Sequence, residues 1–143
     1  MDDRTAVLAA NSRFYRAFER RDQTAMAECW SGTPGDACIH PGWEPVYGSE
    51  AVMESWANIF ATGLPMRFLI ADVVVQLLGD VARVHNVEHI SIAGDGETLG
   101  RVAVTHLFLR RPEGWRLVLH HGSPIAPEGE GDAAVAESES EFH

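Results

Sequence analysis

Val7, Asn11, Phe14 and Phe18 recur at intervals of three and four, with Leu8 and Tyr15 one step round, so residues 3–20 read as an amphipathic helix. Asp22 is placed to cap a second, shorter helix in which Ala25, Met26, Cys29 and Trp30 share a face, and the run from Ser31 to Gly35 ends it with turn residues. Ala37 to His40 reads as a short strand entering the loop Pro41-Gly42-Trp43-Glu44-Pro45. Ser49 then stands where it could cap a third helix, whose Val52, Trp56, Ile59 and Phe60 fall on one side before Gly63 and Pro65 stop it. From Met66 the period changes to β-rich runs broken at Gly79-Asp80, Gly94-Asp95-Gly96 and Pro112-Glu113-Gly114, which predicts four strands joined as hairpins. Three helices followed by a twisted meander make an α+β layer structure, a cone whose sheet curls over the helices and whose wide end can hold a ligand.

Strand alternation sorts the polar side chains into inside and outside. In the strand ending at Arg111, Val102, Val104, His106 and Phe108 share the apolar face, so His106 points inward. In the last strand Trp115, Leu117, Leu119, His121 and Ser123 share that face, which leaves Arg116, Val118 and His120 outside. Between Val81 and Ile92 the more apolar set is Ala82, Val84, Ile90 and Ile92, which carries Asn86 and Glu88 inward unless a bulge reverses it. His40 ends the first strand near the expected mouth. Imidazoles near neutrality and a desolvated carboxylate move protons at ordinary pH, so His40, His106, His121, Glu88 and Ser123 form a candidate proton-transfer set. A single inward histidine is more often a hydrogen-bonded core group, and Trp30, Trp56 and Tyr15 on helical faces serve equally well as core or as pocket wall.

Composition narrows the classes. A chain of 143 residues, 45% hydrophobic, suits one domain with its own core. The formal charge is −10, but residues 128–143 hold six acids and no base, leaving about −4 for the rest; nucleic acid is an unsuitable partner. That acidic end, taken as residues 127–143, has too few apolar side chains to order itself and is expected to be a disordered tail on a domain of residues 1–126. No run is long enough for a membrane span and the acidic start is unlike a secretory signal, so a cytoplasmic address with no membrane association is expected. Cys29 and Cys38 lack a framework spacing and read as reduced, packed thiols. All eleven basic residues are arginine, which excludes Schiff-base lysine chemistry and a P-loop; GxGxxG and GxSxG are also absent, so no cofactor is expected. No metal is expected either, a site from His40, His106 and His121 being the weakest alternative.

The phrases HPGWEPVYG, AVTHLFLRR and GWRLVLHHGSP, in that order over residues 5–125, resemble the SnoaL-like branch of the nuclear transport factor 2 superfamily. GWRLVLHHGSP is also similar to the close of the association domain of calcium/calmodulin-dependent protein kinases, an oligomerisation module. The resemblance implies a cone-shaped nuclear transport factor 2-like fold, three N-terminal helices packed on a curved, mainly antiparallel sheet. Beside the ketosteroid isomerases, His40-Pro41 falls where those enzymes have Asp-Pro with the general base, His106 near their protonated aspartic acid, and Phe14 near their oxyanion tyrosine, with Tyr15 adjacent. The resemblance thus implies a protein for an apolar, carbonyl-bearing small molecule: an isomerase, cyclase or dehydratase with His40 as base and His106 as carbonyl donor. Tyr15, Trp30, Trp43, Trp56, Glu88, His121 and Ser123 would bind or orient the molecule. The rival expectation is a noncatalytic ligand-binding or dimerisation domain, a homodimer through the outer sheet face with Arg116 and His120 at the interface.

Overall fold

The structure is a computed structural model and describes residues 1–127; the acidic segment read as a tail lies, from Glu128 onward, outside the described residues. Helix α1 (Asp3–Arg20) is capped by the Asp2 carboxylate, which accepts from the Thr5 N–H at 2.8 Å, and it buries Val7, Asn11, Phe14 and Tyr15. Helix α2 (Gln23–Cys29) is capped by Asp22 as expected, and Met26 and Cys29 face the core. Strand β1 (Ala37–Ile39) and the two-residue β2 (Val46–Tyr47) lead into α3 (Ser49–Thr62). The cap of α3 differs from expectation: Gly48 at φ 88° is the N-cap and Ser49 the first helical residue. A glycine reaches that left-handed φ without the Cβ clash any other residue would meet.

The meander follows as β3 (Met66–Leu78), β4 (Val81–Ile92), β5 (Thr98–Arg111) and β6 (Gly114–Ile125). The six strands form one sheet in the order β2-β1-β6-β5-β4-β3, antiparallel throughout except that β1 runs parallel to β6. Arg110 anchors the end of β5. Its guanidinium takes both Asp3 oxygens at 2.7 and 2.8 Å and lies 4.6 Å over the Trp115 ring, tying the β5–β6 hairpin to the start of α1.

Three register shifts bend the sheet, and the one in β6 decides the site. Leu107 pairs with Leu119 and Phe108 with Leu117, so Val118 is an extra residue and side-chain parity reverses there. Trp115 and Leu117 are buried as expected, but beyond the bulge His120 and Gly122 point inward while His121 and Ser123 are exposed. The expected inward set Leu119, His121, Ser123 and the outward placement of His120 are therefore corrected. In β4 no such reversal intervenes, and Asn86 and Glu88 are buried.

Between helices and sheet the interior is filled by rings. Phe14 meets Trp56 at 5.5 Å, Phe18 and Trp56 are 4.9 Å apart, and Phe18 meets Phe68 at 4.4 Å, mostly edge-to-face or tilted. Trp30 and Trp56 are buried core residues, Trp56 packed among these rings.

Candidate functional site

The inner sheet face is a ladder of cross-strand rungs. From the wide end inward, one rung is Ile70, Glu88, Val102 and Pro124; the next includes Asn86, Val104 and Gly122; the third is Val75, Val84, His106 and His120. Helix α1 lies across this ladder and supplies Asn11 and Tyr15 from its buried stripe. Asn11 occupies the one polar position of that stripe.

Together these side chains make a continuous buried chain of hydrogen bonds. The Tyr15 hydroxyl donates to Glu88 Oε2 at 2.7 Å and accepts from Asn86 Nδ2 at 2.9 Å. Asn11 Nδ2 donates to Asn86 Oδ1 at 3.0 Å, and Asn11 Oδ1 lies 2.7 Å from His106 Nδ1. His106 Nε2 in turn is 2.8 Å from His120 Nδ1. An amide oxygen can only accept, so His106 carries its proton on Nδ1 and accepts at Nε2 from His120 Nδ1–H. Every donor therefore points the same way, from His120 to the Glu88 carboxyl, and aligned hydrogen bonds polarise one another. The two amides carry polarisation without relaying a proton, so the histidine end and the carboxyl end titrate as separate groups.

Burial sets the charge states. Desolvation raises the Glu88 carboxyl to about 7, with the Tyr15 hydroxyl pulling slightly the other way. It lowers His106 to about 3 and His40 to about 4. His120 is also pushed well below the usual imidazole range, by desolvation first and then by His106, His40 and His121. The Tyr15 phenol is driven far up by burial and by Glu88. Near neutral pH the histidines are uncharged and Glu88 is close to half ionised.

His40 stands on the same interior side, at the end of β1. Its Nε2 is 2.9 Å from Ser55 Oγ, whose hydroxyl donates to the Val52 carbonyl at 2.6 Å, so the imidazole donates from Nε2. The His40 ring packs 4.6 Å from Trp56 and 4.8 Å from Trp43, and its centroid is 5.9 Å from His120, which is 5.0 Å from His106. His120 thus bridges the two histidines singled out from the sequence.

The other expected positions divide. Trp43 is 44% exposed at the rim, Trp30 and Trp56 belong to the core, and His121 and Ser123 lie on the outer face, which also separates His121 from the alternative metal set. Phe14 packs its ring 4.6 Å from His106 while the neighbouring Tyr15 brings a hydroxyl to Glu88. Asn11 and Ser55 were not singled out for the site, and His120 was assigned to the outer face instead. Only Asn11 had a visible signal, as an amide within an apolar helical stripe.

At the wide end, Met66, Ile90, Leu99, Val102 and Pro124, together with Arg101, line a mainly apolar cavity of about 310 Å³. Its wall residue Val102 is the cross-strand partner of Glu88 and Ile90 is the next inward residue along β4, so Glu88 shares a rung with the pocket wall while its own side chain does not line the cavity. A larger depression of about 550 Å³ between Pro34, Tyr47 and Glu54 touches none of the network residues.

These features define a cone-shaped α+β domain with an apolar mouth backed by a buried polar chain. Residues 7–127 match the SnoaL-like domain family, and the chain belongs to it. Among solved structures it is similar to a dehydratase candidate of the nuclear transport factor 2-like family from Streptomyces avermitilis (33% identity, TM-score 0.78, 87% of this chain and 97% of that one). It is also similar to a candidate calcium/calmodulin-dependent protein kinase type II association domain from Thiobacillus denitrificans (31% identity, TM-score 0.77, 82% and 94%). F-box protein SKIP8 of Arabidopsis thaliana is 27% identical over 118 residues, which are 82% of this chain and 49% of that protein; the chain spans about half of that relative's length. No helix among the described residues is long and apolar enough to cross a membrane.

Proposed function

We propose that this SnoaL-like domain binds an apolar, carbonyl-bearing small molecule in its mouth and transfers a proton beside the carbonyl, the step shared by isomerases, cyclases and dehydratases. The observation that carries this reading is the Glu88 carboxyl, buried, raised to about 7, on a residue that shares a sheet rung with Val102 and Pro124 of the mouth pocket. A base poised near neutrality is effective because it is ionised often enough to accept and basic enough to pull. In this reading Glu88 removes the α-proton and returns it, while Tyr15 and Asn86 hold the carboxyl in place. His106, whose two nitrogens are both engaged, acts through Asn11 as a positioning residue, and His40 holds the neighbouring wall through Ser55.

The test uses 2-acetonaphthone, an apolar methyl ketone, in deuterated buffer, with loss of the methyl proton signal followed by NMR. The wild-type chain is expected to bind the probe and accelerate exchange with a rate that rises through pH 7, and Glu88→Gln to bind it without acceleration. Exchange at the same rate in Glu88→Gln, or no binding of any such ketone, overturns the reading.

A second reading, dimerisation through the outer sheet face, is favoured by exposed apolar side chains there. Leu69 is 70% and Val74 56% exposed on the edge strand β3, and Ala103, Leu107 and Leu119 lie further along the same outer face on β5 and β6. The likeness to an association domain supports it too. His120 now drops out of that interface, being buried inside. Light scattering should show a dimer that Leu69→Lys with Val74→Lys converts to a folded monomer; a monomeric wild type refutes it.

A further inference from the structure

Of the described residues that line the mouth cavity, Arg101 of β5 alone is ionisable, and it is half-buried among apolar neighbours. No acid shares that lining, and among the described residues Arg101 has no acidic partner within 4.0 Å. The arginines at the far end of the same strand are occupied: Arg110 holds Asp3 and Asp80, and Arg111 is 3.8 Å from Glu113.

Sheet register explains how a charged residue comes to the lip of an apolar hollow. Val102 points inward on the rung of Glu88 and Pro124, and Arg101 before it belongs to the outer rung with His89 and Ile125. Ile125 also lines the cavity, so at this end the hollow wraps round the last rungs and takes side chains from both faces. Gly100, opposite Ile90, has φ 144°, and no atom lies within 4 Å of where its Cβ would be. That missing side chain leaves Leu99 and Arg101 to frame the opening along β5.

Charge decides what such an opening recognises. A guanidinium on an apolar wall keeps its stem against hydrocarbon, and its planar fork suits the two oxygens of a carboxylate. In a chain of net charge −10 an acid is repelled at long range, so a cation at the point of entry is the local attraction that offsets it. The buried Glu88, on the rung of the wall residue Val102, fixes which end of the ligand carries the acid. Beside Glu88 a second carboxylate would meet like charge in a desolvated place; at the lip it meets Arg101.

We infer that the mouth selects an apolar ketone that is also a carboxylic acid, its carboxylate held by Arg101 at the lip and its carbonyl end directed to the Glu88 rung. This rests on the reading of the mouth as the ligand pocket. Arg101 is then a specificity residue, touching the end of the ligand that does not react.

The test uses a matched pair, 2-acetonaphthone and 6-acetyl-2-naphthoate, the same ring ketone without and with a carboxylate at its far end. Their affinities are measured by titration calorimetry for the full-length wild type and for Arg101→Gln, and the readout is the ratio of the two in each protein. In wild type the acid should bind roughly tenfold tighter, the lower end of what a hydrogen bond to a charged group contributes. That preference should fall to about twofold or less in Arg101→Gln, and it should shrink in wild type when salt is raised from about 0.05 to 0.5 M. Arg101→Lys, which keeps the charge but not the fork, should retain part of it. In wild type the Arg101 Nε–H resonance should move with the acid and stay in place with the neutral ketone. A wild type that binds 2-acetonaphthone and exchanges its methyl protons but shows no preference for the acid overturns this inference and leaves the proton-transfer reading standing. A preference that Arg101→Gln leaves intact overturns it too, and binding of neither compound removes both.

Discussion

His106 and His120 meet nitrogen to nitrogen at 2.8 Å inside a sheet that the sequence pattern assigned them to from opposite faces. The contact requires one of the two facing nitrogens to be unprotonated, so both rings cannot be charged at once, and desolvation keeps both neutral.

Acid should therefore unfold the domain through its histidines. His40 and His106 titrate near 6.5 when unfolded and at about 4 and about 3 when folded, so the unfolded chain takes up more protons in between. Their contribution is fully present above pH 6.5 and is lost as pH falls through 4 towards 3. Urea unfolding midpoints measured across pH 3 to 7 should drop steeply in that window, and His106→Gln should flatten the drop.

Glu88 acts with the opposite sign. Its folded value of about 7 lies above the unfolded 4.5, so the folded chain holds the extra proton and stability falls as pH rises from 4.5 to 7. Glu88→Gln removes this dependence. Relative to wild type the variant should gain on the order of 3 kcal/mol between pH 4.5 and 7.5, read from paired unfolding curves.

Tyr15→Phe deletes one oxygen and strands two partners, Asn86 Nδ2 and Glu88 Oε2. A loss of about 1–3 kcal/mol is expected. The Tyr15 hydroxyl lowers the Glu88 value, so its removal should raise it further, which carbon-13 NMR of the glutamate carboxyl would register as an upward-shifted midpoint.

Gly122 faces inward where Pro41 crosses the sheet. A Cβ there would meet Pro41 Cγ at 2.9 Å and Val102 Cγ1 at 3.1 Å. The proline ring cannot swing aside, so Gly122→Ala should cost about 1–3 kcal/mol and displace the loop that carries His40. A lowered melting temperature with altered Trp43 fluorescence would report both effects.

Much of the fold is readable from local pattern. The stripe Val7, Asn11, Phe14 and Phe18 announces α1, Asp22 announces the start of α2, and the glycine and proline breaks mark every hairpin of the meander. Helical period and turn chemistry are properties of neighbouring residues, so they survive without knowledge of what lies across the core. Glu88 and His106 were placed inward for the same reason, since their strands alternate without interruption around them.

Tertiary structure decided the rest, and mainly at Val118. One residue unpaired against β5 turns His120 inward and His121 outward, and nothing local in Arg-Leu-Val-Leu-His-His signals it, because a bulge answers to the register of the opposite strand. The parallel pairing of β1 with β6 and the meeting of Asn11 with His106 across 95 positions of chain are likewise set by long-range packing. The sequence by itself determined the helices, the strands and the supply of polar groups for the interior; which of those groups touch was settled only when the sheet closed over α1.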